Sequence, residues 1–178
     1  RRLRRAEIAR QRVQIFKHSI DKRYDETSIV SHSRQSLPSI AVGEAETILQ
    51  LVDDRTEVVA VDEGQFFGPE IIEVCSRLAN RGLRVIVAGL DLDYRGLPFG
   101  PMPDLMCCSE YVTKQLAICM TCGNPAGFTQ RLTANRDQIV VGAAGTYEAR
   151  CRQHFSAPES GTEPADPPSP PAADESSA

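Results

Sequence analysis

The stretch EVVAVDEGQFF, residues 57 to 67, decides the architecture. Val58 to Val61 form an unbroken apolar run in which three of four residues are β-branched. Such a run suits a strand buried on both faces, and strands of that kind belong to parallel sheets covered by helices. It ends abruptly in Asp62 and Glu63. In open parallel sheets ligands bind beyond the carboxyl ends of the strands, so the two carboxylates aim into that crevice. One acid placed there can hold magnesium on the phosphates of a nucleotide, usually through water, while its neighbour takes a proton from an attacking group. A plainer reading stands beside this one, because apolar strands also end in Asp or Glu where the chain returns to water. Gly64 and the aromatic pair Phe66 and Phe67, set beside an otherwise polar turn, favour the functional reading.

Working outward, Gly68 and Pro69 open a helix in which Ile71, Ile72, Val74, Cys75 and Leu78 recur at helical spacing, with Asn80 and Gly82 as its stop signal. Leu83 to Leu90 reads as a second buried strand. Strand, helix, strand with both strands apolar predicts an α/β core, a parallel sheet flanked by helices. Upstream, residues 43 to 52 carry helical spacing through Ala45, Ile48, Leu49 and Val52, Val13 to Ile20 reads as a strand, and residues 1 to 11 read as the last turns of a helix. Residues 21 to 42 are polar and lack a sustained period, which predicts a surface excursion; Arg34 within it could meet phosphate, as could any surface arginine. After Leu90, Gly96, Pro98, Gly100, Pro101 and Pro103 mark a loop bearing Tyr94 and Phe99. From Lys114 the segments are short and turn-rich, so the core is expected over residues 1–113 and a small second unit over 114–156.

Composition excludes some classes. The 178 residues carry 20 Lys plus Arg against 24 Asp plus Glu, a formal charge of −4, and no apolar run approaches the roughly 20 residues of a membrane-spanning helix. Residues 157–178 hold five acids, no base, six of the twelve prolines and no aromatic residue. That segment cannot bury enough surface to offset its ordering entropy, and a disordered acidic tail is expected. Six arginines lie in the first dozen residues without interleaved aromatics, which suits a solvated helix face better than a nucleic-acid patch. With no secretory signal and no dense disulfide pattern, a cytoplasmic location is the default.

A second constellation is Cys119-x-x-Cys122 followed, after 28 residues, by Cys151-x-x-His154. Each pair has the gap that lets a turn point two side chains at one ion, and four N and S ligands with no open position suit a structural zinc ion (Zn2+). Cys75, Cys107 and Cys108 read instead as small buried hydrophobes.

An acid-ended strand of the Walker B kind calls for a phosphate-cradling loop, GxxxxGK[ST], and no such string occurs in these residues. Since that loop precedes a helix and the chain opens on Arg1 inside the apparent end of one, strand, loop and first helical turns are expected upstream. By itself the polypeptide would then lack its main triphosphate grip and be impaired in any phosphoryl transfer, because Asp62 and Glu63 cannot position a triphosphate without the cradle.

Five strings, DEGQFF at 62–67, GLDLDYRGLPFG at 89–100, CMTC at 119–122, FTQRL at 128–132 and TYEARCRQHF at 146–155, stand in the order and at the distances of one family. The chain resembles the type II thymidine kinases, cytosolic enzymes of pyrimidine salvage that join a P-loop NTPase-like core to a zinc-stapled, ribbon-like lasso domain. The resemblance covers nearly all of residues 1–156. It implies transfer of the γ-phosphoryl group of Mg2+-bound ATP to the 5′-hydroxyl of thymidine or deoxyuridine, with Glu63 as proton acceptor and Asp62 as the magnesium-associated acid. Asp62, Glu63, Gly64 and Gln65 would line the ATP side. Tyr94 and Phe99 match aromatics that enclose the nucleoside, completed by Phe66 and Leu90. Thr129 and Tyr147 match lasso residues that close over base and sugar, and the backbone of Ile139, Val140, Val141 and Gly142 would read the base edge. The same resemblance suggests a homotetramer, with neither membrane nor nucleic acid as partner. Gly145 stands where the family usually carries an acid, and His154 is a family variant of a fourth cysteine.

Two rival readings follow from the same residues. A non-catalytic zinc ribbon would bind nucleic acid in a salt-dependent way and ignore nucleosides. Another P-loop ATPase would use the acid pair to activate water. Neither requires the aromatic Pro-Gly loop at 94 to 103, and the acidic balance disfavours broad nucleic-acid binding.

Overall fold

The computed structural model describes residues 2–20, 28–30, 36–133 and 145–158. In chain order these give α1 (Arg2–Ile8), β1 (Val13–His18), β2 (Ser28–Val30), β3 (Ser36–Pro38), β4 (Ile40–Val42), α2 (Glu46–Leu51), β5 (Val58–Asp62), a 3-10 turn (Gly64–Phe66), α3 (Glu70–Asn80), β6 (Arg84–Val87) and α4 (Met102–Cys108). Short strands follow: β7 (Ala117–Ile118), β8 (Pro125–Ala126), β9 (Phe128–Arg131) and β10 (Tyr147–Arg150).

Four strands form one parallel sheet in the order β4-β1-β5-β6. The fold is α/β, as its apolar strands require. Val58 to Val61 on β5 are all buried, because neighbours pair on both edges. Val61 lies beside Phe16 and Val87, and Asp62 lies beside Lys17. One face of the sheet, carrying Phe16, Val59 and Val61, packs on Ile48 from α2 and on Ile71, Val74 and Leu78 from α3. Those three α3 positions are spaced three and four apart, one stripe of a 3.6-residue helix. Truncating one of them, Leu78→Ala, would cost about 2–5 kcal/mol through lost burial and the cavity left behind. The helix stops as expected. Gly82 takes φ +86°, its N–H donates to the Ala79 carbonyl at 2.8 Å and the Leu83 N–H to the Leu78 carbonyl at 3.2 Å, the paired bonds of a left-handed glycine cap.

Four expectations are corrected. Residues 21–42 are not wholly a surface excursion, since Ile40–Val42 forms the β4 edge of the sheet and β2 pairs antiparallel with β3. The second strand is four residues long and half-exposed rather than buried, because among the described residues only β5 pairs with it. The proline-rich loop ends in a helix: Pro101 caps α4, Pro103 sits in its first turn where a missing N–H costs nothing, and Met102 and Leu105 enter the main core. Cys107 and Cys108 are exposed at the far end of α4, whereas Cys75 is half-buried and its thiol is pushed up to about 11 by burial.

A second small cluster buries Cys119, Ala126 and Cys151 with Ala149 packed against them. No helix among the described residues is long and apolar enough to cross a membrane. Arg34, the Ile139 to Gly142 stretch and the tail beyond residue 158 lie outside the described residues.

Candidate functional site

Strand β5 delivers Asp62 and Glu63 to the carboxyl edge of the sheet, both half-buried. Glu63 has left-handed backbone, φ 55° and ψ 42°, which costs an ordinary L-residue about 1–2 kcal/mol. Strain of this kind persists only where the surroundings fix it, and here they do. The Glu63 N–H donates to Asp62 Oδ1 at 3.0 Å, and Gln65 Nε2 donates to Glu63 Oε2 at 2.6 Å. Gln65 is itself buried, and its Oε1 accepts the Leu90 N–H at 3.0 Å. The Gly64 N–H donates to the Ala88 carbonyl at 2.9 Å. A Cβ on Gly64 would come within 2.8 Å of Val87 Cγ1, so only glycine lets the turn lie this close to β6. The acid pair is therefore tied to two strands.

The loop after β6 is organised by Asp93, a carboxylate only 2% exposed. It accepts the N–H groups of Arg95 at 2.8 Å and Leu97 at 3.1 Å, and pairs with the Arg95 guanidinium at 2.8 Å. The local repeat DLDYRG encodes this turn, in which an aspartate bonds the backbone two residues on. It leaves Tyr94 and Phe99 buried and Leu90 exposed. Phe99 meets Phe66 edge to face, ring centroids 5.8 Å apart. His18, at the end of β1, stands edge-on to Phe67 at 4.7 Å and tilted to Phe66 at 6.3 Å. Burial pulls its imidazole below the ordinary value, against a hydrogen bond at the Gly43 backbone that acts the other way.

The β9–β10 hairpin brings in the remaining residues. Its register sets Thr129 opposite Ala149 and Arg131 opposite Tyr147, so Thr129, Arg131 and Tyr147 share one face. The Arg131 guanidinium lies 3.5 Å from the Tyr94 ring centroid, and its Nη2 donates to the Tyr147 hydroxyl at 2.7 Å. Tyr94 and Tyr147 thus meet across an arginine. Phe66 and Phe99 meet directly, and Leu90 joins through its backbone. Sequence reasoning missed Arg131, Lys17 and His18. Lys17 is 3% exposed beside Asp62, and a buried ammonium was readable only once that register was known.

Cys119, Cys122, Cys151 and His154 converge, their ligand atoms all within 4.8 Å of one another. Cys151 Sγ lies 3.2 Å from His154 Nδ1, Cys119 Sγ 3.9 Å from the same nitrogen, and Cys122 Sγ 3.8 Å from Cys151 Sγ. Ligand bonds of about 2.0–2.3 Å around a tetrahedral ion give edges of about 3.5–3.8 Å, so the cluster fits a metal ion. Each pair is shaped by a backbone turn: Gly123 N–H donates to the Cys119 carbonyl at 2.9 Å, and His154 N–H to the Cys151 carbonyl at 3.0 Å. Desolvation opposes ionisation of the Cys119 thiol, yet hydrogen bonds at the Cys151, Thr121 and Cys122 backbone outweigh it and bring the thiol down to about 6. A thiolate is the form a metal binds.

The family model described as thymidine kinase matches residues 1–155. The thymidine kinase of Bdellovibrio bacteriovorus is 53% identical over 155 residues, covering 87% of this chain and 76% of the relative. The thymidine kinase of Rhodothermus sp. (strain ITI 518) is 54% identical over 158 residues, covering 89% and 74% respectively. An acid pair clamped at a strand end, an aromatic wall facing a hairpin and a Cys3His cluster are joined by a match that spans nearly every described residue, and the chain belongs to the thymidine kinase family.

Proposed function

We propose that the protein transfers the γ-phosphoryl group of ATP to the 5′-hydroxyl of thymidine, with deoxyuridine as a second substrate, and that Glu63 is the proton acceptor. The observation that carries this is the bond from Gln65 Nε2 to Glu63 Oε2 at 2.6 Å, which fixes a carboxylate at the end of the central strand. The 5′-hydroxyl gives its proton to Glu63, its oxygen forms the new bond to the γ-phosphorus, and the bond from that phosphorus to the bridging oxygen breaks to release ADP. Asp62, beside Glu63 and Lys17, would hold the Mg2+ that travels with ATP; when bound, that ion neutralises charge on the phosphates. Gly64 and Gln65 keep the turn against the nucleotide.

The nucleoside lies against Phe66, Leu90, Tyr94 and Phe99 on the core side, residues 1–113. Thr129 and Tyr147 cover it from the lasso, residues 114–156, and the backbone of Ile139 to Gly142 reads the base edge. Cys119, Cys122, Cys151 and His154 hold Zn2+, whose closed ligand set makes it structural: it pins the turns on both sides of the lasso. A homotetramer in the cytoplasm completes the reading, on the strength of the family resemblance.

In the full-length protein Glu63→Gln should retain thymidine-induced thermal stabilisation while transfer from ATP falls about 10²–10⁴-fold, the range of a lost general base. Transfer within threefold of wild type would remove Glu63 from the role, and absence of any thymidine-induced stabilisation in metal-loaded wild type would remove the nucleoside assignment.

A further inference from the structure

We propose that Arg131 is a positioning residue of the nucleoside site, fastening Tyr147 of the hairpin to Tyr94 of the loop so that a pyrimidine nucleoside meets a wall already aligned. The inference rests on the nucleoside reading above and adds to it a residue which that reading does not use.

Three observations meet at this side chain. Arg131 is directly opposite Tyr147 in the hairpin register, and its Nη2 donates to the Tyr147 hydroxyl at 2.7 Å. Its guanidinium carbon stands 3.5 Å from the Tyr94 ring centroid and 5.2 Å from that of Tyr147. The residue is 8% exposed, so a permanent cation has been withdrawn from water. That withdrawal is costly unless strong directional partners replace the lost hydration. A ring face within stacking distance and a phenol oxygen supply such partners, and both belong to residues assigned to the nucleoside.

Arginine alone does both tasks. The guanidinium is flat and weakly hydrated, so it can lie on the Tyr94 ring and still donate sideways to the hydroxyl; an ammonium presents neither plane nor fork. Tyr94 lies within the turn that Asp93 closes by accepting the Arg95 and Leu97 N–H groups, and Tyr147 opens β10, which leads into Cys151. Arg131 therefore couples the loop to the hairpin. Without it, Tyr147 would have to find its place each time a nucleoside arrived, and affinity falls by the fraction of time it is misplaced.

The test is thymidine titration of the full-length, metal-loaded protein as wild type, Arg131→Gln, Arg131→Lys, Tyr147→Phe and the Arg131→Gln/Tyr147→Phe double variant, each also followed for turnover and melting temperature. Arg131→Gln should raise the thymidine KM about 10- to 100-fold, the loss of a charged hydrogen bond and a buried cation–π contact, with kcat and the ATP KM changed less than threefold. Arg131→Lys should recover the melting temperature without recovering the thymidine KM. The double variant should be no worse than Arg131→Gln within about twofold, since both changes cut one link. A wild-type thymidine KM in both arginine variants, equal losses in kcat and kcat/KM, or effects that multiply in the double variant would each overturn the role. If Arg131→Gln does not fold, the lysine variant decides. Wild-type protein that ignores thymidine would remove the nucleoside reading, a result distinct from any difference among the variants.

Discussion

Gln65 and Leu90 are joined by a 3.0 Å bond from a backbone N–H to a side-chain oxygen, and the other end of the same amide holds Glu63. One buried side chain thus transmits the position of the segment after β6 to the carboxylate. Gln65→Leu is expected to lower stability by about 1–3 kcal/mol, because the Leu90 N–H and the Glu63 carboxylate both lose a partner. Phosphoryl transfer should fall about tenfold or more while thymidine still binds. Urea unfolding and steady-state kinetics read the two effects separately.

Gly100 has φ +51°, and a Cβ there would overlap the Gln65 carbonyl oxygen. Gly100→Ala should therefore destabilise by about 2 kcal/mol or more, combining left-handed strain with overpacking against backbone that cannot yield. An unchanged urea midpoint would contradict the close approach of the two turns.

Removing the metal should act first on the hairpins. A strong chelator, or Cys151→Ser, is expected to lower the melting temperature by about 10 °C, on a scale of about 2–4 °C per kcal/mol for a protein of this size. Proteolytic cuts should then appear around β7 to β10 before the parallel sheet is touched. Metal analysis returning no bound ion in the native protein would contradict the cluster's role.

The pH response carries a sign set by His18. Its imidazole is below the ordinary value of 6.5, chiefly through burial. In the window between that folded value and 6.5, the unfolded chain binds more protons than the native one, so stability rises with pH there and is lost as pH falls through it. Unfolding free energies measured between pH 7 and pH 5 should decline from this contribution, and His18→Phe should flatten the slope (pH limits taken from the ordinary histidine range).

What could be read from the sequence was what is local. Val58 to Asp62 announces itself as an unbroken apolar run ended by an acid, and the Ile71, Val74, Leu78 stripe as a helical period, each complete within one element. Asp62-Glu63 and the two Cys-x-x pairs are contiguous strings whose chemistry needs no partner to be suspected. β4 escaped because Ile40–Val42 is too short to show a period, and it becomes a strand only by pairing with Phe16 to His18. α4 escaped because prolines that usually break helices sit here in its first turn. Cys107 and Cys108 follow apolar neighbours yet face water, since the helix turns Met102 and Leu105 inward instead. Arg131 stood inside a quoted motif, but its meaning lies in a tyrosine far away along the chain. Long-range juxtaposition has no one-dimensional signature.

The paired thiols at the far end of α4 have a practical consequence. They are open to solvent, Cys75 is shielded and reluctant to ionise, and a bound metal would protect the other three. A maleimide fluorophore offered to the metal-loaded protein would settle on Cys107 and Cys108. Met102, at the opposite end of the same helix, lies against the turn that follows Glu63, so the dye would report, from outside, on how the Asp62–Glu63 turn is seated.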